Sequence, residues 1–291
     1  MADVLETVSR LLTDRAYVRL LYLKSHGRLL RLRQPRTFNE KLQWYKLYYR
    51  DPLMTTMSDK YEVRKYLEAR GHGGLLNELY GVYDTVEAID LSRLPGRFIL
   101  KATHGSNMNI ICRDKETLDW PECRRTLRRW LRSNYFYSGR QWAYKDIQPR
   151  LICEKYLQND EFDQLIDYKF YCFNGRPQVL WICTGRYGPG GVKYNAYDMD
   201  GKRLHVFKGK PGSDLPIGLP DNFVAMAATA AALCGAFPFV RVDLYSIGGK
   251  LIFSEFTFYP DSGVVAFSPE RYNRIYGDLF VLPGIGPGPG K

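Results

Sequence analysis

The spacing of apolar positions changes as the chain is followed from its start. Val4, Val8, Leu11 and Leu12 recur at helical intervals, which predicts one or two amphipathic basic helices over residues 3–33, ended by Pro35. Thr37, with Glu40 three positions on, has the form of a capping box and marks another helix start. Asp51-Pro52 breaks the chain again. Ser58 is read as the cap of a helix running to about residue 70, where Gly71, Gly73 and Gly74 stop it.

Strand-like runs then take over. Residues 98–102 and 109–112 are apolar β-type stretches on either side of the small polar segment 104–109, the pattern of a hairpin with an open tip. Trp120-Pro121 opens a basic helix to about residue 133. Strands are predicted at 151–157, 168–174, 178–184 and 193–198, with Asn174-Gly175 as a hairpin turn. An Ala-rich helix at 220–235 precedes a last strand pair, 239–245 and 251–258, joined through Gly248-Gly249. The order predicts an α+β fold with mostly antiparallel sheets.

Composition narrows the class. With 45% hydrophobic and 25% charged residues the chain is ordinary globular material, long enough for a substantial core. The net charge of +11 is concentrated in two blocks. Residues 1–50 hold eleven Lys/Arg against four Asp/Glu, and residues 123–150 hold eight against one Asp. Such blocks suit an anionic partner: a nucleotide, an acidic polymer or an anionic membrane face. A solvated helix surface has the same pattern. The six cysteines include no CxxC pair and several lie in apolar runs, so they read as small buried hydrophobes in a reducing compartment. No basic start leads into a long apolar stretch, and the densest early run, 16–23, is broken by Arg19. The expected location is therefore the cytoplasm, with peripheral contact at the inner face of the membrane compatible with the basic blocks.

Three segments carry candidate chemistry. In Arg241-Val242-Asp243-Leu244-Tyr245 and Glu255-Phe256-Thr257, alternate residues share a face. Pairing the two strands brings Arg241, Asp243 and Glu255 to one surface, where two carboxylates suit Mg²⁺ and an Arg suits a phosphate. A hairpin with one solvated face and a salt bridge fits equally. In the second segment, Lys101 ends an apolar strand beside His104-Gly105-Ser106-Asn107, an arrangement suited to phosphate but also to a plain hairpin; no Walker A sequence occurs. The third, Ile152-Cys153-Glu154-Lys155-Tyr156-Leu157 with Glu161 beyond it, suits an adenine and a ribose, or an ordinary strand leaving a core.

The order of these segments resembles ATP-grasp enzymes, with distant similarity to D-alanine–D-alanine ligase over roughly residues 58–265. Asp59-Lys60, Lys101 with Gly105-Ser106, Glu154 to Leu157 with Glu161, and Arg241-x-Asp243 with Glu255-x-Thr257 look like that family's motifs. A narrower resemblance, to the teichuronopeptide-biosynthesis (TupA-like) branch, runs through Thr37-Phe38-Asn39-Glu40-Lys41, Asp59-Lys60-Tyr61, His104-Gly105-Ser106, Asp167-Tyr168-Lys169 and Arg241-Val242-Asp243-Leu244-Tyr245.

This resemblance implies two mostly antiparallel α+β subdomains sandwiching ATP, behind a short basic helical N-terminal region. The implied divisions are a basic region at 1–57, a reduced segment at 58–97, a small lobe at 98–155, a large lobe at 156–282 and a disordered tail at 283–291. Lys60, Lys101, His104, Gly105, Ser106, Asn107 and Lys169 would serve the phosphates. Glu154, Lys155, Tyr156 and Leu157 would frame the adenine, and Glu161 the ribose. Asp243 and Glu255 would hold Mg²⁺, with Arg241 near the γ-phosphate and acting with Lys101 in catalysis. Thr257 stands where the family has Asn, a weaker ligand for the ion.

The implied reaction is an ADP-forming carboxylate–amine ligation. Its substrates would be an anionic saccharide or uronic acid and an amine or amino acid, in bacterial surface polysaccharide synthesis. A sugar kinase using the same nucleotide site is the alternative, and a glycosyltransferase a more remote one. Charge and aromatic content also suit a nucleic-acid binder, but the Arg241, Asp243 and Glu255 set points away from it, and no nucleic acid is expected.

Overall fold

The computed structural model describes residues 9–158, 165–185, 191–209 and 218–284. Its helices are α1 (Asp14–His26), α2 (Phe38–Tyr48), α3 (Pro52–Ser58), α4 (Glu62–Ala69), α5 (Trp120–Leu131), α6 (Phe136–Gly139), α7 (Phe223–Leu233) and α8 (Arg271–Leu279). The strands β1 (Leu79–Tyr83), β2 (Phe98–Ala102), β3 (Asn109–Cys112) and β4 (Leu151–Lys155) precede a second group. That group is β5 (Asp167–Phe173), β6 (Arg176–Thr184), β7 (Lys193–Asp198), β8 (Arg203–Leu204), β9 (Phe207–Lys208), β10 (Phe239–Ile247), β11 (Lys250–Thr257) and β12 (Phe267–Ser268). The fold is α+β, and the paired strands of both main sheets are antiparallel. Two compact units are present, one of Met1–Arg50 with Asn159–Lys291, the other of Asp51–Gln158.

The larger unit is built on a six-stranded sheet in the order β11-β10-β5-β6-β7-β8. Every residue of β5 is buried, because both of its faces are covered. On one face Phe170 stacks against Phe223 of α7. On the other, Phe38 of α2 meets Tyr171, Phe173, Phe239, Phe267, Tyr276 and Phe280 within 6.3 Å between ring centroids. The capping box expected at Thr37 and Glu40 is formed, and it sets the start of α2 so that Phe38 enters this aromatic core. Helix α1 uses Val18 and Tyr22 to cover Leu30 and Leu32, with Trp44 and Leu47 of α2 alongside. Close packing of α2 on α8 depends on Gly277: a Cβ there would overlap the Arg36 carbonyl oxygen and crowd the Phe38 amide.

The smaller unit holds a four-stranded sheet, β1-β4-β2-β3. Phe98, Leu100 and Ala102 alternate into a core completed by Val86, Leu127 and Cys153, which leaves Ile99 and Lys101 on the opposite face. The predicted hairpin across 104–109 is present, with Lys101 paired to Asn109. Expectation and structure differ around α3, a helix over residues where only a break after Asp51-Pro52 was expected, and at α1, which among the described residues covers Asp14–His26 of the expected 3–33. Ser58 ends α3 and does not cap the next helix; in the turn ahead of α4 the Asp59 carboxylate accepts from the amides of Tyr61 (2.8 Å) and Glu62 (3.3 Å). Ser58 is the last residue of the preceding helix, so the carboxylate that follows it meets those amides. Strand β1 and helix α8, which the residue pattern did not announce, complete the two units.

Gly277→Ala should destabilise the chain by about 1–3 kcal/mol in urea titration, since the backbone of 36–38 must move. Gly218→Ala is the control, because nothing lies within 4 Å of a Cβ there, and it should leave the midpoint unchanged.

Candidate functional site

Register places the charged residues of the larger unit in rows across three strands. Lys169 of β5 faces Asp243 of β10, which faces Glu255 of β11. The next row is Tyr171, Arg241 and Thr257, and the next pairs Phe173 with Phe239. One face of the sheet thus passes from aromatic core to charge within three rows. A bulge that leaves Ser254 unmatched follows immediately after the Asp243–Glu255 pair and bends the strand there.

Asp243 is fully buried, and cations engage both of its oxygens. Arg241 donates from Nε to Oδ1 and from Nη2 to Oδ2, each at 2.6 Å, and Lys169 Nζ donates to Oδ2 at 2.5 Å. Burial alone would raise the Asp243 pKa; Arg241 and Lys169 outweigh it and hold the carboxyl below its usual value. Burial likewise opposes the Arg241 charge, and Asp243 and Glu255 more than restore it. Glu255 is the open member, with 29% of its side chain exposed. Its Oε1 accepts from Arg241 at 3.2 Å and lies 3.5 Å from the Thr257 hydroxyl. Asp167 adds a carboxylate 3.3 Å from Lys169.

Two carboxylates facing each other across paired strands, one of them open, fit a Mg²⁺ ion that takes its remaining ligands from phosphate and water. Among the described residues no cluster of three or more His, Cys, Asp or Glu could hold a metal by itself. Asp243 can join such a site only as Arg241 or Lys169 yields an oxygen.

The sequence reading missed Lys208 and the turn that it meets. Lys208 lies on β9, is buried, donates to the Tyr171 hydroxyl at 2.7 Å and pairs with Asp261. Burial opposes its charge, but Asp261 and Tyr171 raise its pKa above the ordinary lysine value. Asp261, Ser262 and Gly263 all have left-handed backbone, φ 46°, 54° and 63°, a run that non-glycine residues keep only when their surroundings hold it. Here α2 does so. Gln43 Nε2 donates to the Ser262 and Gly263 carbonyls at 3.0 Å, and Lys46 Nζ donates to the carbonyl and hydroxyl of Ser262 at 2.7 Å. A two-residue strand such as β9 has too few positions to show a period, so Lys208 carries no local signal.

In the smaller unit, Lys101 and Glu154 share the face of the sheet away from its core. Lys101 sits opposite Ile152, so Glu154 is its diagonal neighbour, and the Lys101 Nζ to Glu154 Oε2 distance is 2.6 Å. Arg64 of α4, also missed from sequence, donates to Glu154 Oε1 at 2.9 Å. Glu154 is therefore a buried carboxylate between two cations. Asp59 anchors the start of α4 and takes a longer contact from Arg150 (3.4 Å); Arg150 also reaches Glu62 at 2.7 Å. The adjacent Lys60 extends its Nζ to the Gly105 carbonyl of the β2–β3 loop.

In that loop His104 is buried, bonded through Nε2 to the Trp130 carbonyl at 2.9 Å, while its Nδ1 has no hydrogen-bond partner among the described residues. Burial lowers its pKa. Gly105 has no room for a Cβ, which would press on Met108 Sδ. Ser106 is half-buried and Asn107, at φ 59°, is exposed, so these two residues form the accessible tip. Lys155 is exposed beside Glu78, Tyr156 lies under the Arg97 guanidinium and Leu157 is half-buried. Glu161 lies outside the described residues. The basic helix α5 is partly neutralised: Arg124 and Arg128 pair with Glu87, and Arg125 with Glu122.

Two outcomes follow from these geometries. Asp243→Asn leaves Arg241 and Lys169 undercompensated and should cost about 3–5 kcal/mol in urea titration, whereas Glu255→Gln, at an open position, should cost less than about 1 kcal/mol. The second concerns Lys46, whose ammonium burial pushes down from 10.5 to about 7. Between those values the unfolded chain binds a proton that the folded chain has released, so this contribution to stability is greatest at high pH and is lost as pH falls towards 7. The stability of wild type minus that of Lys46→Met should climb with pH in that window by up to about 1.4 kcal/mol per unit. A flat difference would mean that Lys46 keeps its charge.

Among solved structures, the chain is similar to the Bacillus anthracis D-alanine–D-alanine ligase complexed with ATP, at 14% identity and a TM-score of 0.43, covering 77% of this chain and 65% of that one. It is also similar to the Helicobacter pylori D-alanine–D-alanine ligase (14% identity, TM-score 0.39, 71% of this chain and 55% of that one). An L-amino acid ligase from Bacillus licheniformis gives 14% identity and a TM-score of 0.44, over 78% of this chain and 48% of that one. The chain thus spans less than two thirds of each of these proteins. No curated protein matches it. A family model, described as TupA-like ATPgrasp, matches residues 40–281, from within α2 to just past α8, and by that match the chain belongs to the TupA-like ATP-grasp family.

Proposed function

We propose that the chain is an ATP- and Mg²⁺-dependent ligase that activates a carboxylate as an acyl phosphate and joins it to an amine. The observation that carries this reading is the row of Lys169, Asp243 and Glu255 with Arg241 beside it, three of its four members buried and Glu255 open. Such a set suits a phosphate chain through its cations and a metal through its carboxylates, with Asp243 entering as Arg241 or Lys169 turns from it towards phosphate.

In this reading the acceptor carboxylate oxygen attacks the γ-phosphorus of ATP, the bond to the β-phosphate oxygen breaks, and ADP leaves. The amine nitrogen then attacks the acyl carbon, loses a proton, and expels inorganic phosphate as the amide forms. Bound Mg²⁺ would neutralise phosphate charge, with Glu255 and Asp243 as its protein ligands and the Thr257 hydroxyl beside them. Arg241 and Lys169 face the transferring phosphoryl group. Lys60, Lys101 and the backbone of residues 104–107 serve the remaining phosphates, and Glu154, clamped by Arg64, orients Lys101. Residues 154–157 and Glu161 serve the nucleoside. The acceptor is an anionic saccharide of the uronic-acid type and the amine an amino acid, in assembly of a bacterial surface polysaccharide. The exposed Arg129 of α5 and Arg132 just after it suit such a polyanion.

The test is phosphate release and product mass across paired uronic acids and amino acids. Free phosphate with an amide product is expected, and Glu255→Gln should lower turnover about a hundredfold or more with the fold intact. A phosphorylated acceptor with no free phosphate would instead make the enzyme a kinase, and unchanged turnover in Glu255→Gln would remove the metal role from that residue.

A further inference from the structure

We infer that the outer face of α1 is a docking surface for an anionic lipid bilayer. The inner face of the helix is committed: Val18 and Tyr22, one turn apart, are fully buried with Leu30 and Leu32. The opposite side carries Ala16, Leu20 and Lys24 at i, i+4 spacing, with Arg19 and Leu23 as the adjoining stripe. Leu20 is 54% exposed and Leu23 41%, although both are in a well-formed helix whose other side has an apolar place to go. Leu11, just before the helix, and Leu29, just after it, are 83% and 79% exposed.

Cations flank these leucines. Residues 9–36 hold eight Lys/Arg against a single Asp. Arg28 pairs with Glu270, and Arg31 makes a long contact with Glu40. Arg19 and Lys24 are exposed beside Leu20 and Leu23.

Charge and apolar exposure together select the partner. A soluble polyanion would use the arginines and gain nothing from the leucines. A neutral apolar groove would use the leucines and be penalised by the arginines. An anionic bilayer uses both: leucines enter the boundary of the acyl chains while the Arg and Lys stems run along it and leave their charges at the headgroups. No helix among the described residues is long and apolar enough to cross a membrane, so the contact is peripheral. Because Val18 and Tyr22 hold the helix in place, the face is formed before it meets the lipid, and no ordering of the segment opposes binding.

The test is co-sedimentation of the full chain with phosphatidylcholine vesicles, with and without phosphatidylglycerol, at low and moderate salt. Binding only to the anionic vesicles, weaker at higher salt, is expected. The double variants Arg19→Glu/Lys24→Glu and Leu20→Ser/Leu23→Ser should each lose roughly tenfold or more in binding, with unchanged urea midpoints because all four side chains are exposed. The proposal is overturned by any of four results: no binding to anionic vesicles, equal binding to neutral ones, binding unaffected by either double variant, or self-association through this face that the leucine variant abolishes while vesicles are ignored. Dextran sulfate binding that depends on the cations but not the leucines, without vesicle binding, would mark a polyanion face and equally overturn it.

Discussion

The antiparallel register of β5, β10 and β11 is the constraint on which the larger unit turns. Side chains alternate along a strand, so a shift by one residue would exchange Lys169, Asp243 and Glu255 for Tyr168 or Phe170, Val242 or Leu244, and Ser254 or Phe256. Aromatic packing resists that shift. Phe173 and Phe239 lie on the same face two rows from the charges, wedged against Phe38 and Phe280. Burial of these rings and ionisation of the cluster are therefore consequences of one alignment: the core holds the register, and the register assembles the site.

A similar economy appears in the smaller unit. Alternation along β2 sends Phe98, Leu100 and Ala102 inward, which forces Lys101 to the other face, beside Glu154. Glu154 tolerates burial because two cations share its charge, and each cation is held in place by that carboxylate. Asp59 does comparable service for Lys60: it fixes the first turn of α4, so the lysine leaves the backbone at a set point and reaches the Gly105 carbonyl. In both units a buried carboxylate organises lysines or arginines that would otherwise sample many rotamers.

Much of this could be read in the chain itself, because the informative features are local or periodic. The capping box at Thr37, the Asn174-Gly175 turn and the alternation in 239–245 depend on residues a few positions apart. Arg241, Asp243 and Glu255 were accessible for the same reason, once two adjacent strands were paired across Gly248-Gly249. Lys208, Arg64 and Lys46 were not. Lys208 meets Asp261, Arg64 meets Glu154 and Lys46 meets Ser262 only through the tertiary fold, and nothing near each lysine or arginine names its partner. The start of α4 was misplaced for a different reason: Ser58 has a capping side chain, but it is taken up as the last residue of α3, and α4 begins only at Glu62. Also illegible was that α2 lies in the core of the unit that contains β5, since its apolar face does not specify which sheet it covers.

The saturation of Asp243 has a consequence for how this protein can change over generations. Replacing Asp243, Lys169 or Arg241 singly passes through a state with an uncompensated charge inside the fold, so drift at these positions requires paired replacements arriving almost together. Glu255 and Thr257 carry no such restriction, being partly open to water. A lineage diverging from this sequence is thus channelled: folding itself freezes the buried triad, whereas only the chemistry restrains the two outer positions, and new ion preferences or reaction types would emerge from the strand edge and not from the centre.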